Sequence, residues 1–244
     1  MTTPAIVVYP TPNALARNAA DDFVAASRAA IGERGRFAVA LSGGTTPKAM
    51  LAALAEPGRA GAINWPLVHV FWSDERCVPP DDERSNFKMA HDTLLAHVPL
   101  PLENIHRMKG ELEPAAGADD YVAELARFFG DATAFDLLYL GLGPDGHAAS
   151  LFPGTAALGA TASCVANRVD SGVASPWRLT LTYPAINTSR RVVFLVQGTG
   201  KADIVRHVLR DPRDVEVLPA QGIDPASGDL RMYLDVAAAS KLGS

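Results

Sequence analysis

His147 is the residue in this chain best placed to move a proton. It lies in the stretch Phe135–Thr155, FDLLYLGLGPDGHAASLFPGT, where an apolar run ends abruptly in a polar turn. Leu137–Leu140 is too short and too uniformly apolar for a surface helix, and reads as a strand buried on both faces, as parallel sheets require. Gly141 and Gly143 let the backbone turn tightly. Pro144–Asp145–Gly146 is a turn signal with a mechanism: Pro presets φ, Asp bonds its own backbone, and Gly accepts positive φ. His147 therefore leaves the carboxyl end of a central strand, where open α/β sheets place their ligands. Ala148–Phe152 is expected to begin a helix, whose N-terminus disfavours an imidazolium and keeps the ring neutral, able to take a proton from water. A lone histidine is more often structural than catalytic, but Gly and Pro flank this one at a strand end, and that setting favours catalysis. The other five histidines lack it. His69 lies within a predicted strand, His91, His97 and His207 within helical patterns, and His106 near a strand end where a structural role is expected.

Three other strand ends carry polar or charged groups. Phe37–Leu41 runs into Ser42–Gly43–Gly44–Thr45–Thr46–Pro47, where two glycines bring bare backbone to the surface and Thr46–Pro47 starts a helix reaching about Leu54. Unpaired N–H groups, a favourable dipole and hydroxyls at a helix N-terminus make an anion cradle. By itself the pattern is equally a tight connection. It is neither a Walker loop, since no Gly–Lys–Ser/Thr follows, nor a dinucleotide fingerprint, since the glycine spacing is wrong. Ser42 is no elbow nucleophile either, because Ala40 stands where the elbow carries its first Gly. Val68–Trp72 ends in Ser73–Asp74–Glu75–Arg76, a charge run whose usual fate is a solvated loop. Arg191–Val196 ends in Gln197–Gly198–Thr199–Gly200–Lys201, from which Lys201 can reach a phosphate as a point charge while an ordinary helical Lys is solvated.

The elements that position these groups alternate between strand and helix. Ile6–Tyr9 is a strand, and Thr11–Pro12 supplies an N-cap with Pro at the first helical position. Leu15, Ala19, Phe23, Ala26 and Ala30 then recur at helical spacing until Gly32 and Gly35 end the helix. Further helices are expected over about Ser85–His97, Ala118–Phe129, Tyr183–Asn187, Lys201–Leu209 and Val236–Leu242, and strands at Ile105–Met108, Arg178–Thr182 and Leu230–Leu234. Ala156–Pro176 reads as small and irregular. The alternation, without a composition break, predicts an α/β chain: a single doubly wound domain over residues 1–244, its mostly parallel sheet covered by helices on both faces.

Composition narrows the class. The 244 residues are 48% hydrophobic and 20% charged, an ordinary soluble globular profile. A net charge of −5 gives no footprint for nucleic acid or for an anionic membrane. Cys77 and Cys164 lack metal-ligand spacing and fit a reducing cytosol, so a cytoplasmic location is expected. MTTPAIVVYP does not read as a signal peptide, and no apolar run is long enough to span a bilayer. Without heptads, a monomer is expected rather than a large assembly.

Four stretches together resemble the 6-phosphogluconolactonase family: LSGGTTPKAML from Leu41, FWSDERCVPPDDERSNFKMA from Phe71, LGLGPDGHAASLFPGT from Leu140, and RLTLTYPAINTSRRVVFLVQGTGKA from Arg178. The resemblance covers Leu41 to Ala202, and its second and third segments are specific. It implies hydrolysis of 6-phospho-D-glucono-1,5-lactone to 6-phosphogluconate, the second step of the oxidative pentose phosphate pathway, on a Rossmann-like fold shared with glucosamine-6-phosphate deaminases. It implies no metal and no cofactor, and a small sugar-phosphate lactone as the partner. Carried onto this chain, it makes His147 the general base, with Asp145 shaping the turn and Arg76 near the carbonyl or phosphate. Ser42, Gly43, Gly44 and Thr45 would cradle the phosphate, with positive charge from Arg178 and Lys201, and Asp74 and Glu75 of the same motif join the substrate-binding set.

The nearest alternative is a glucosamine-6-phosphate deaminase, which shares the phosphate loop and an Asp–Gly–His turn. That family shows Asp–Glu–Tyr where this chain has Arg76, and an acidic Asn–Glu–Pro segment where it reads Ser150–Leu151–Phe152–Pro153. A silent sugar-phosphate sensor is the other alternative, and nothing in the sequence favours it.

Overall fold

The computed structural model describes residues 2–130, 132–169 and 175–243. Its elements, in order, are β1 (Ala5–Tyr9), α1 (Pro12–Arg34), β2 (Phe37–Leu41), α2 (Thr45–Leu54), α3 (Pro57–Ala60), β3 (Val68–Trp72), β4 (Asp74–Arg76), α4 (Asn86–Thr93), α5 (Pro114–Phe129) and β5 (Leu137–Leu140). There follow β6 (Cys164–Arg168), β7 (Trp177–Leu181), α6 (Tyr183–Asn187), β8 (Val192–Val196), α7 (Ala202–Arg210), β9 (Leu230–Asp235) and α8 (Val236–Ala239).

Six strands form one sheet in the order β1-β9-β8-β5-β2-β3, every pair parallel. β2, β5 and β8 are buried along their whole length, which is why they read as unbroken apolar runs. From β2 the chain steps outward to β3 and then back to β5, so the winding reverses between the adjacent strands β2 and β5. Ligands of open α/β sheets bind at such a reversal, beyond the carboxyl ends of the strands.

The first helix shows how local signals set the elements. The Thr11 hydroxyl accepts from Ala14 N–H at 3.1 Å, Pro12 opens the helix, and Leu15, Ala19, Phe23 and Ala30 are buried. Gly32 does not end it. Gly35 does, at φ +73°, with its N–H bonded to Ile31 O, because only there must the chain turn left-handed.

Four other expectations are corrected. Ile105–Met108 makes a single bridge, Val70 to Ile105, and no strand. The helix over Ser85–His97 stops at Thr93 and continues as a 3₁₀ turn, Leu95–His97. The one at Ala118 starts a turn earlier, at Pro114, because the Glu113 carboxylate accepts from the N–H groups of Ala115 and Ala116. Ala148–Phe152 is not helical: Ala148 bridges Leu151, and Ala149 sits at φ +50°.

A second sheet, unforeseen from sequence, has the antiparallel order β4-β7-β6. The chain passes between sheets at Ser73, whose N–H donates to Leu41 O at 2.7 Å while its carbonyl accepts from Leu181 N–H at 2.9 Å. β6 falls within Ala156–Pro176, and residues 170–174 of that stretch lie outside the described residues. Among the described residues no helix is long and apolar enough to cross a membrane.

Candidate active site

A cleft of about 260 Å³ opens where β2, β3, β5 and β8 end. Its wall at β2 is Ser42–Gly43–Gly44–Thr45. Gly44 stands at the N-cap of α2 with φ +102° and no side-chain cap, so the first-turn amides of that helix are left to a ligand. Gly43 has no room for a side chain, because a Cβ there would lie 1.9 Å from Asn86 Oδ1. From β8 come Gln197 and Lys201, and from β5 come Gly141–Pro144 and His147. Lys201 Nζ donates to Leu142 O at 2.6 Å, and burial pulls its ammonium below the ordinary lysine range against the attraction of Asp145.

His147 is 24% exposed at its side chain, and its Nδ1 lies 2.5 Å from Asp145 Oδ1. The same Asp145 oxygen accepts the His147 backbone N–H at 3.2 Å, the Asx-type contact expected of that turn. Burial would raise the Asp145 carboxyl, but the hydrogen bond and charge of His147 outweigh it and hold Asp145 below its usual value. With Nδ1–H bonded to a carboxylate, the ring in its neutral form carries its lone pair on Nε2. The turn therefore fixes the tautomer, while the helix expected at Ala148, and with it the dipole that would oppose an imidazolium, is absent. His147 is pressed against Gly143, where a Cβ would stand 2.0 Å from Nδ1, and against Phe152, whose ring centroid is 4.2 Å away.

The Asp–Glu–Arg run is a buried strand, not a solvated loop. Asp74, 7% exposed, reaches the cleft and accepts Ser150 Oγ–H at 2.7 Å on one oxygen and Asn86 Nδ2–H at 3.3 Å on the other. Glu75, 2% exposed, turns away from the cleft. Its carboxylate accepts the N–H groups of Arg76, Asn86 and Phe87, each at 2.7 Å, and Ser85 Oγ–H at 2.9 Å. Burial pushes the Glu75 carboxyl up while these four bonds pull it down. Glu75 thus ties β4 to the N-terminus of α4 and supports the site without lining it.

Arg76 lines the cleft, and its guanidinium donates to Arg84 O. Arg178 is its cross-strand partner on β7 and does not line the cleft. Arg178 donates to Ser175 O and Trp177 O, and burial, followed by the like charge of Arg76, lowers its pKa.

The structure thus brings His147, Arg76, Asp74, Ser42, Gly43, Gly44, Thr45 and Lys201 to one cavity, and leaves Asp145, Glu75 and Arg178 out of its lining. Asn86 and Gln197 also line it, unexpected from sequence. The only local sign of Asn86 was Ser85, the N-cap of α4, whose hydroxyl accepts Lys88 N–H at 3.1 Å. Among the described residues, no three His, Cys, Asp or Glu side chains converge to hold a metal ion.

Comparison with known proteins places the chain in a family. Residues 10–232 match the family model described as glucosamine-6-phosphate isomerases/6-phosphogluconolactonase. The chain is 44% identical over 218 residues to the 6-phosphogluconolactonase of Synechocystis sp., covering 87% of this chain and 88% of that protein. It is 39% identical over 247 residues to that of Mycobacterium bovis, covering 98% of each. The solved structure of 6-phosphogluconolactonase from Trypanosoma brucei superimposes with a TM-score of 0.85 at 25% identity, covering all of both chains. A monomeric glucosamine-6-phosphate deaminase, at 21% identity and a TM-score of 0.82, shares the fold. With a match over nearly its whole length and relatives this similar, the chain belongs to the glucosamine-6-phosphate isomerase/6-phosphogluconolactonase family.

Proposed function

We propose that the protein is a 6-phosphogluconolactonase that hydrolyses 6-phospho-D-glucono-1,5-lactone to 6-phospho-D-gluconate in the oxidative pentose phosphate pathway. The observation that carries this reading is that His147, its Nδ1 on Asp145, shares one cleft with the uncapped amides of α2 and with Arg76. Those amides, the hydroxyls of Ser42 and Thr45, and Lys201 hold the phosphate. Asp74 suits a sugar hydroxyl.

His147 Nε2 takes a proton from water as the water oxygen bonds to the lactone carbonyl carbon. The negative charge that gathers on the carbonyl oxygen is stabilised by Arg76, with Arg178 adding charge behind it. When the carbonyl re-forms, the bond to the ring oxygen breaks, and the imidazolium returns its proton to that oxygen. One water is consumed and no electron changes hands. A δ-lactone is a reactive ester, so a positioned water, a base and an electrostatic clamp suffice without a covalent nucleophile. We further infer that it acts in the cytoplasm, as a monomer rather than a large assembly.

The test is to supply freshly made lactone and follow acid release, subtracting spontaneous hydrolysis. Release above that background is expected. Ammonia from glucosamine 6-phosphate would instead mark a deaminase, and binding of 6-phosphogluconate without turnover a sensor.

A further inference from the structure

The histidine turn is held from outside by a part of the chain that the reaction leaves unused. Gly146 O accepts Ala220 N–H at 2.8 Å, and Gly154 N–H donates to Glu216 O at 3.0 Å. These bonds flank His147 in sequence, and both lead into the connection between α7 and β9. Leu218 packs directly over Gly146, where a Cβ would stand 2.8 Å from Leu218 Cδ2.

Two side chains close that connection on itself. Gln221, 8% exposed, accepts Asp214 N–H on Oε1 at 2.8 Å and donates from Nε2 to Val208 O at 3.2 Å and Asp211 O at 3.3 Å. The Tyr183 hydroxyl, at the start of α6, donates to Pro219 O at 2.7 Å, and its ring lies against Gly222. Within the turn, the backbone bonds are Gly146 N–H to Gly143 O at 3.2 Å and Gly143 N–H to His147 O at 2.9 Å; with the two contacts to Asp145 Oδ1 they tie the turn to itself, and Pro144 and Asp145 are exposed, so its tie to the rest of the fold on this side is the Gly146–Ala220 bond.

We propose that residues 214–222 are a brace that holds His147 in register with the cleft, with Tyr183 and Gln221 as positioning residues acting through Ala220 and Gly146. This rests on the reading of His147 as the base. A slack brace lets the Asp145–His147 unit drift, while the phosphate loop, built on β2 and α2, stays where it is. Turnover then falls without loss of substrate affinity, because reacting groups must be placed to well under an ångström whereas the phosphate contacts are untouched.

Tyr183→Phe keeps the ring and removes one bond; Gln221→Leu keeps the volume and removes three. For each, kcat, KM, the Kd for 6-phosphogluconate and Tm are measured, with His147→Ala alongside. The expected result is a kcat lowered roughly 10-fold in Tyr183→Phe and further in Gln221→Leu, toward the ~100-fold that a 1 Å misplacement can cost. KM and the product Kd stay near the parent's. A lowered Tm with parental kcat would make the segment structural only, and a raised KM with parental kcat would mean that it acts on the phosphate side; either overturns the inference. If Gln221→Leu does not fold, Tyr183→Phe decides. Parental turnover by His147→Ala sinks the base reading itself, whereas an inactive His147→Ala beside a fully active Tyr183→Phe sinks the brace alone.

Discussion

Replacing Asp145 separates its charge from its role as an acceptor. Both His147 donors, the backbone N–H at 3.2 Å and Nδ1 at 2.5 Å, converge on the single oxygen Oδ1. In Asp145→Asn those two donors favour the amide oxygen at the same place, so the tautomer is kept and only the charge is lost. A hydrogen bond to a charged group contributes about 1.5–3 kcal/mol and a neutral one about 1 kcal/mol. The difference, about 1 kcal/mol for a carboxylate that is 44% exposed and partly screened, lowers kcat roughly 5-fold. Asp145→Ala removes the acceptor and frees the ring, so the whole interaction is lost and kcat should fall roughly 10- to 100-fold. Initial rates in a pH-stat with fresh lactone measure both. Two variants within about two-fold of the parent, or Asn as damaging as Ala, would refute the view that Asp145 orients the base through one oxygen.

Other perturbations reach the rest of the site. Gly43→Ala must push Asn86 aside, since the new Cβ would lie 1.9 Å from its Oδ1; the Kd for 6-phosphogluconate should weaken, and unchanged affinity would argue against the α2 amides as the phosphate cradle. Glu75→Gln sets an NH₂ against two donors, costing about 1–3 kcal/mol and lowering Tm by roughly 3–10 °C; a parental Tm in calorimetry would contradict the tie between β4 and α4. Burial first, then the charges of His106 and Arg36, pushes His69 down to about 4. The unfolded ring takes a proton below its ordinary value near 6.5 while the folded one stays neutral, so stability is whole above that pH and falls as pH drops toward 4. The urea midpoint should therefore be lower at pH 5 than at pH 7, and His69→Leu should flatten the difference; an equal slope in the variant would clear His69 of the effect.

The parallel sheet was legible because its strands carry their own signal. FAVAL, VHVFW, LLYL and VVFLV are short apolar runs, and the chain gives each a neighbour at the right spacing. β4 carried the opposite signal. Asp74 looks solvated until Asn86 and Ser150, 12 and 76 residues away, supply its hydrogen bonds, and no local pattern reports contacts of that range. His147 itself could be found from the Pro–Asp–Gly turn, but what fixes its tautomer could not. Ala149 at φ +50° breaks the helix that Ala148–Phe152 promised, and Asp145 instead holds Nδ1, which sets the tautomer and not the charge of the ring. The charge of Arg178 is visible in the sequence; its pairing opposite Arg76, outside the cleft lining, is not.

Turnover by His147→Ala tests the central claim most directly, with binding of 6-phosphogluconate measured on the same preparation. The account predicts a kcat lowered ~10²- to 10⁴-fold, the usual contribution of a general base, with product affinity near the parent's because the phosphate contacts lie on β2, α2 and Lys201. A kcat close to the parent's after background subtraction, or an affinity that falls in step with the rate, would contradict it.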